Sequence, residues 1–170
     1  IREYQSKLTT AEKAVKVVKS GDWIDYGTNN SFPHLLDEAL SERRDELKGV
    51  KIRGNLIGGP LKTVESDPNR EHFIYSSWHY SAYERKLSDK GLCNYIPMIF
   101  RNESWYIKEF LDIDVAMLSV TPMDKHGYFN LSCATGMAYT ILEKAKYVIL
   151  EVVDNLPYVC GVLENVVHIS

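Results

Sequence analysis

The sequence predicts an α/β fold with a central, largely parallel sheet flanked by helices. Two observations carry this. Val115–Val120, V-A-M-L-S-V, and Tyr147–Val153, Y-V-I-L-E-V-V, are continuous apolar runs of the kind that fill a sheet covered on both faces. Strand-like segments also alternate along the chain with amphipathic stretches of about 10 residues, the pattern of strand–helix–strand units with right-handed crossovers. No repeat, low-complexity stretch or Pro/Ser-rich linker interrupts this alternation, so one compact domain over residues 1–170 is the economical reading.

In order, Thr9–Lys19 predicts a first helix. Thr9 and Glu12 fit a capping box, Ala11, Ala14, Val15 and Val18 form one face, and Gly21 closes it. Trp23–Tyr26 is a short strand. After G-T-N-N-S-F-P, Phe32–Leu47 predicts the second helix, with Pro33 in its first turn. Val50–Ile57 alternates as a strand and ends at Gly58-Gly59-Pro60. Leu61–Arg70 reads mostly as loop, and His72–Trp78 as the third strand. Ser81–Lys90 is a helix closed by Gly91, Leu92–Met98 a strand broken by Pro97, and Ser104–Leu111 a short helix. Val115–Val120 ends at Pro122, which cannot donate to a ladder. Phe129–Cys133 reads as its hairpin partner, and Gly136–Lys146 as the last helix before Tyr147–Val153.

A domain of 170 residues buries roughly 70% of the surface its unfolded chain exposes, enough for a real core. The formal net charge of −3 gives no electrostatic reason to bind nucleic acid or an anionic membrane. No run approaches the ~18 apolar residues that span a bilayer, and I-R-E-Y-Q-S-K is not a signal core. Cys93, Cys133 and Cys160 are odd in number and widely spaced. They read as reduced, mostly buried thiols of a cytoplasmic protein. The missing initiator Met and the strand-like V-V-H-I-S ending suggest a fragment or a chain whose partner domain is elsewhere.

Four passages past predicted strands can bear chemistry, because ligands of open parallel sheets bind beyond the carboxyl ends of strands. In Gly27-Thr28-Asn29-Asn30-Ser31, small and amide-bearing residues either cap the next helix or present N–H groups to an anion. Without a second glycine or a lysine this is neither a Walker loop nor a dinucleotide fingerprint. Ile57-Gly58-Gly59-Pro60 is either an ordinary turn or a place of close ligand approach. In Ser76-Ser77-Trp78-His79-Tyr80, Trp78 is a core residue or a wall, and His79 a spacer or a general acid/base. In Pro122-Met123-Asp124-Lys125-His126-Gly127, His126 is a turn residue or a contact. Neither H-x-x-x-H nor H-E-x-x-H occurs, so no metal is expected. There is no G-x-S-x-G elbow, so composition and spacing stop at an α/β domain with several loops on one sheet edge.

Longer stretches are more specific. E-Y-Q-S-K-L-T-T-A-E-K-A-V-K-V-V-K-S-G-D-W from Glu3, E-H-F-I-Y-S-S-W-H from Glu71 and E-R-K-L-S-D-K-G from Glu84 are joined by D-V-A-M-L-S-V-T-P-M-D-K-H-G-Y-F-N from Asp114 and A-K-Y-V-I-L-E-V from Ala145. With these, the chain resembles the N-terminal half of the acetyl-CoA hydrolase/transferase family, among which it is most similar to the butyryl-CoA:acetate and 4-hydroxybutyrate CoA-transferases. The resemblance covers essentially the whole chain. It implies a fold of the CoA-transferase type, a coenzyme A thioester as substrate with no further cofactor, a short-chain carboxylate as second substrate, and a homo-oligomer. It also implies covalent catalysis by a glutamate in the C-terminal half, so no catalytic residue is assigned to this chain. Its own carboxylates are expected in solvated roles on helix faces and turns. Gly27, Thr28, Asn29, Trp78 and His79, then Pro122, Met123, His126 and Gly127, are expected to line one wall of an acyl pocket between halves. Trp78, Tyr80 and Tyr83 are candidates for narrowing that pocket. Rival readings are a non-catalytic half-domain that binds CoA or a partner, an acyl-CoA hydrolase, and a sugar-phosphate isomerase, which would require a phosphate loop not found here.

Overall fold

The computed structural model describes residues 2–161 and 165–170. Its centre is a six-stranded sheet in which every pairing is parallel. The strands are β1 (Trp23–Thr28), β2 (Val50–Asn55), β3 (Phe73–Ser77), β4 (Asn94–Tyr95), β5 (Val115–Val120) and β7 (Tyr147–Val152). Their order is β4-β3-β2-β1-β5-β7. The chain therefore winds outward from β1 to β4, returns to β5 on the other side of β1, and continues to β7. The order reverses between β1 and β5, and loops leaving two neighbouring strands in opposite directions open a crevice there.

Helices cover both faces. On one, α3 (His34–Glu42), α4 (Lys62–Glu65) and α5 (Ala82–Asp89) lay Leu36, Leu40, Val64 and Leu87 on Ile24, Tyr26, Ile52, Tyr75 and Met117. On the other, α6 (Glu103–Phe110) and α7 (Ala138–Lys144) supply Ile107, Ala138 and Ile141 against Ala116, Leu118 and Val120. The β5 run is buried at every position, as its composition requires.

Several boundaries differ from expectation. The chain starts with a helix not foreseen, α1 (Arg2–Lys7), which buries no residue and is braced by a Lys7–Glu3 ion pair of 2.9 Å. The next helix is only α2 (Ala11–Ala14) followed by a 3₁₀ turn, Val15–Val17. Thr10 rather than Thr9 is its N-cap, and its side chain makes no capping bond. The second helix ends at Glu42, five residues early, and a 3₁₀ turn, Arg44–Glu46, follows. Arg43 holds this end by donating to the Val15 and Val18 carbonyls. The stretch read as loop contains α4, one turn long, anchored where Asp37 accepts from the Lys62 N–H at 2.6 Å and the Thr63 hydroxyl at 2.7 Å. Leu92–Met98 shrinks to the two residues of β4. Of the cysteines, Cys93 is buried and Cys133 and Cys160 are exposed, so the expectation of mostly buried thiols fails.

The hairpin expected after β5 does not form. β6 (Tyr128–Asn130) pairs antiparallel with β8 (Val166–His168), matching Tyr128 with His168 and Asn130 with Val166. The polar turn at 122–127 leaves β5 bound to β7 and carries the chain onto this second, two-stranded sheet. No described helix is long and apolar enough to cross a membrane.

Candidate functional site at the β1–β5 crevice

The β1 strand ends in a loop shaped by its own small residues. Gly27 takes φ +65, and a Cβ there would lie 2.6 Å from both Leu118 Cδ2 and Ser31 Oγ. Only glycine fits this close approach. Ser31 Oγ accepts from the Thr28 N–H at 2.8 Å and donates to the Thr28 carbonyl at 2.7 Å. The 3₁₀ turn Asn29–Ser31 is so fixed, with Asn29 exposed at its tip at φ 49. Thr28 donates to the Asn55 carbonyl at 3.0 Å, and Asn30 reaches Ser132 at 3.4 Å.

The neighbouring strand ends converge on the same edge. The Leu56 N–H donates to the His79 carbonyl at 3.0 Å and joins the β2 and β3 loops. His79 lies 6.1 Å from the Phe100 ring between centroids, and the space beside Gly136 is bounded by Phe100 at 3.4 Å and Thr28 at 3.7 Å. Gly27, Thr28, Asn29 and His79 thus share one crevice. Phe100, Glu103, Asn55 and Gly136 join them there, and none of these was singled out from sequence.

The other expected wall residues sit differently. Trp78 is 2% exposed, with its ring inside the domain. Pro122 is exposed at the end of β5, on the crevice side of the sheet edge. Met123 packs against the Leu118–Phe129 cluster. Gly127 belongs to the β6–β8 sheet: its carbonyl accepts from the Ile169 N–H at 3.0 Å, and His168 Nε2 is 2.8 Å from where its Cβ would be. His126 is exposed on the same turn, which Asp124 closes by accepting from the His126 and Tyr128 N–H groups at 2.8 and 2.9 Å. Tyr80 donates to the Cys93 carbonyl beside β4 and Tyr83 to Glu65 of α4, so both hydroxyls are engaged within the domain. Gly58 has open space around it. An apolar groove lies elsewhere, between α1, α2 and β7, lined by Tyr4, Leu35, Phe129, Leu142 and Val148.

The expectation of solvated carboxylates fails at several buried positions. Asp25, Asp37, Glu84 and Glu103 are each at most 1% exposed. Asp25 and Arg53 pair across β1 and β2 at 3.4 Å, too far out of line for a hydrogen bond. Arg53 also stacks 4.6 Å from the Trp23 ring and donates to the Asp112 carbonyl. Burial pushes the Asp25 carboxyl up to about 6 despite the guanidinium and the Gly27 N–H, which pull it down. Glu103 rises to about 7, first through burial and then through repulsion from Asp25. Burial also raises Asp37 to about 6.

These three groups bind a proton more tightly folded than unfolded. Their stabilisation is complete below the unfolded carboxyl range and is lost as pH rises through about 6 to 7. Asp67 and Asp114 are shifted the other way and act below that range. The thermal midpoint should therefore be lower near pH 8 than near pH 5, because each of these carboxyls loses about 1.4 kcal/mol for every pH unit between 5 and its folded value. Asp25→Asn and Glu103→Gln should each flatten the dependence. Melting curves that coincide at the two pH values would mean these carboxyls are as well solvated as free ones.

Over residues 1–170 the chain matches the acetyl-CoA hydrolase/transferase N-terminal domain. It is 44% identical over 169 residues to the butyryl-CoA:acetate CoA-transferase of Anaerostipes caccae, covering 99% of this chain and 38% of that protein. It is 33% identical to the succinyl-CoA:cyclohexane-1-carboxylate CoA transferase of Geobacter metallireducens, again covering 99% of this chain and 38% of the relative. The crystal structure of RipA from Yersinia pestis superposes with a TM-score of 0.87 at 28% identity, over 99% of this chain and 41% of that one. The chain thus spans about 38% of the length of these curated relatives. With sequence, strand order and superposition in agreement from end to end, the chain belongs to the acetyl-CoA hydrolase/transferase family, of which it carries the N-terminal domain.

Proposed function

We propose that these residues are the N-terminal domain of an acyl-CoA:carboxylate CoA-transferase acting on short-chain acids, exchanging butyrate, 4-hydroxybutyrate or propionate with acetate. The observation that carries this is the reversal of strand order between β1 and β5 in a chain that matches this family throughout. A C-terminal half of the same polypeptide supplies the glutamate, and the two halves close the site between them. The glutamate carboxylate attacks the thioester carbonyl, forming an acyl-glutamyl anhydride and expelling CoA thiolate. The thiolate then attacks the glutamyl carbonyl, releasing the first acid and leaving a glutamyl-CoA thioester. An incoming carboxylate runs the two steps in reverse. Coenzyme A is a substrate throughout, and no redox or metal chemistry is needed.

This chain's part is to hold and orient. Asn29 at the tip of the β1 loop and the His79 edge are placed to donate to acyl or carboxylate oxygens. Preorganised donors of this kind act where charge develops. The crevice's own carboxylates do not attack: Asp25 and Glu103 are each 1% exposed, so neither reaches a thioester from outside. A homo-oligomer in the cytoplasm fits the substrates.

The test is acyl exchange by the whole protein with butyryl-CoA and acetate. Rates should depend on acceptor acid, and Asn29→Ala and His79→Ala should each lower kcat/KM by about 10-fold or more, the loss of one well-placed donor. CoA release that ignores the acceptor acid would make the protein a hydrolase. Unchanged specificity constants in both variants would remove the two residues from the site.

A further inference from the structure

Nothing in the fold accounts for Glu103. It is the first residue of α6 and is 1% exposed, yet among the described residues neither carboxylate oxygen has a hydrogen bond. A buried acceptor left in that state is costly, more so if charged, and calls for a reason. Its near partner is His79, whose Nδ1 stands 3.2 Å from Oε1, out of line for a hydrogen bond. A small rotation of the ring aligns the two. The Nδ1 atom is buried while the His79 side chain is 31% exposed, so the Nε2 edge is the one left to the crevice. The charged groups facing Glu103 are His79 from the β3 loop, Asp25 from β1 and, beyond Asp25, Arg53 from β2.

We propose that Glu103 is the positioning residue for His79: the buried carboxyl, within reach of Nδ1, sets the imidazole so that an Nε2–H faces the crevice and donates to an oxygen of the acyl or acid substrate. The inference rests on the transferase reading above for its substrate, and on the Glu103–His79 geometry for the rest. Proton counting gives it content. With two protons on the pair, either the ring is a cation beside a carboxylate, or a neutral Nε2–H ring accepts at Nδ1 from the carboxylic acid. Both arrangements turn Nε2–H outward. Loss of one proton leaves Nδ1–H donating to the carboxylate, and Nε2 then carries only a lone pair. An acceptor facing an acid's carboxylate repels it. Glu103, raised to about 7, puts this inversion near neutrality.

The experiment uses the whole protein and follows kcat/KM for acetate from about pH 6 to about pH 8, one unit either side of that value. Wild type, Glu103→Gln, His79→Gln and the double variant are compared, each checked for folding by thermal melting. In parallel, imidazole ¹⁵N shifts report the His79 tautomer without reference to activity. Wild type should lose about 10-fold across the window and switch from Nε2–H to Nδ1–H near pH 7. Glu103→Gln should flatten the profile and abolish that switch, and the double variant should be no worse than His79→Gln alone. A Glu103→Gln enzyme that keeps the wild-type profile and switch, or losses that add in the double variant, overturns the proposal. If the whole protein moves no CoA, the transferase reading fails, and the nitrogen shifts still decide whether Glu103 governs the ring.

Discussion

Replacing Arg53 with alanine should cost about 3–5 kcal/mol of folding stability, the usual result of removing one partner of a buried ion pair. The side chain is almost fully buried and performs three tasks. It faces Asp25 at 3.4 Å, lies 4.6 Å from the Trp23 ring, and donates to the Asp112 carbonyl just before β5. It therefore ties together β2, β1 and the entry to β5, the strands that frame the crevice. Without it, Asp25 stays buried with only the Gly27 N–H at 2.9 Å for company. That carboxyl then takes up a proton, and the cost of the substitution is smaller at low pH than at neutrality. Removing both charges by Arg53→Met with Asp25→Asn should recover much of the loss, because paired buried charges repay little beyond their own desolvation. Urea denaturation of the wild type and these two variants measures this directly. A loss below about 1 kcal/mol for Arg53→Ala would show that the guanidinium finds water and that the brace is not structural.

What could be read from the sequence followed from period and punctuation. The apolar runs at Val115 and Tyr147 could only fill a covered sheet, and the alternation of elements gave its parallel sense and the edge on which loops converge. Turn residues placed Gly27–Asn29 and His79 at that edge. Three kinds of information were out of reach. Short helices fell below what periodicity resolves: α4 exists because Asp37, distant in sequence, gathers the Lys62 and Thr63 donors. The pairing of β6 with β8 depends on a strand 38 residues further on and not on the turn at 122–127. The buried charges were the largest omission. Arg53 sits in an alternating strand, where the rule sends polar residues outward. The face it occupies is covered by α6, which the strand's own sequence does not reveal. Glu103 looked like an ordinary first-turn acid, favoured at any helix N-terminus. Only the position of His79 in space sets it apart.

The largest effect expected is on activity. Because the sealed carboxylates of the crevice cannot reach a thioester, the 170 residues alone should transfer no CoA. Joined to a C-terminal half of the family, they should do so at enzyme rates, typically about 1–1000 turnovers per second. Covalent catalysis divides the barrier between a nucleophile and the groups that orient its target, and an orienting wall without its nucleophile has no reaction to accelerate. The direct measurement is butyryl-CoA:acetate exchange by the purified chain, side by side with the joined protein at equal concentration. Turnover is expected only in the joined protein. Enzyme-like exchange by the chain alone would contradict it and would move the search for the nucleophile to this domain's own side chains.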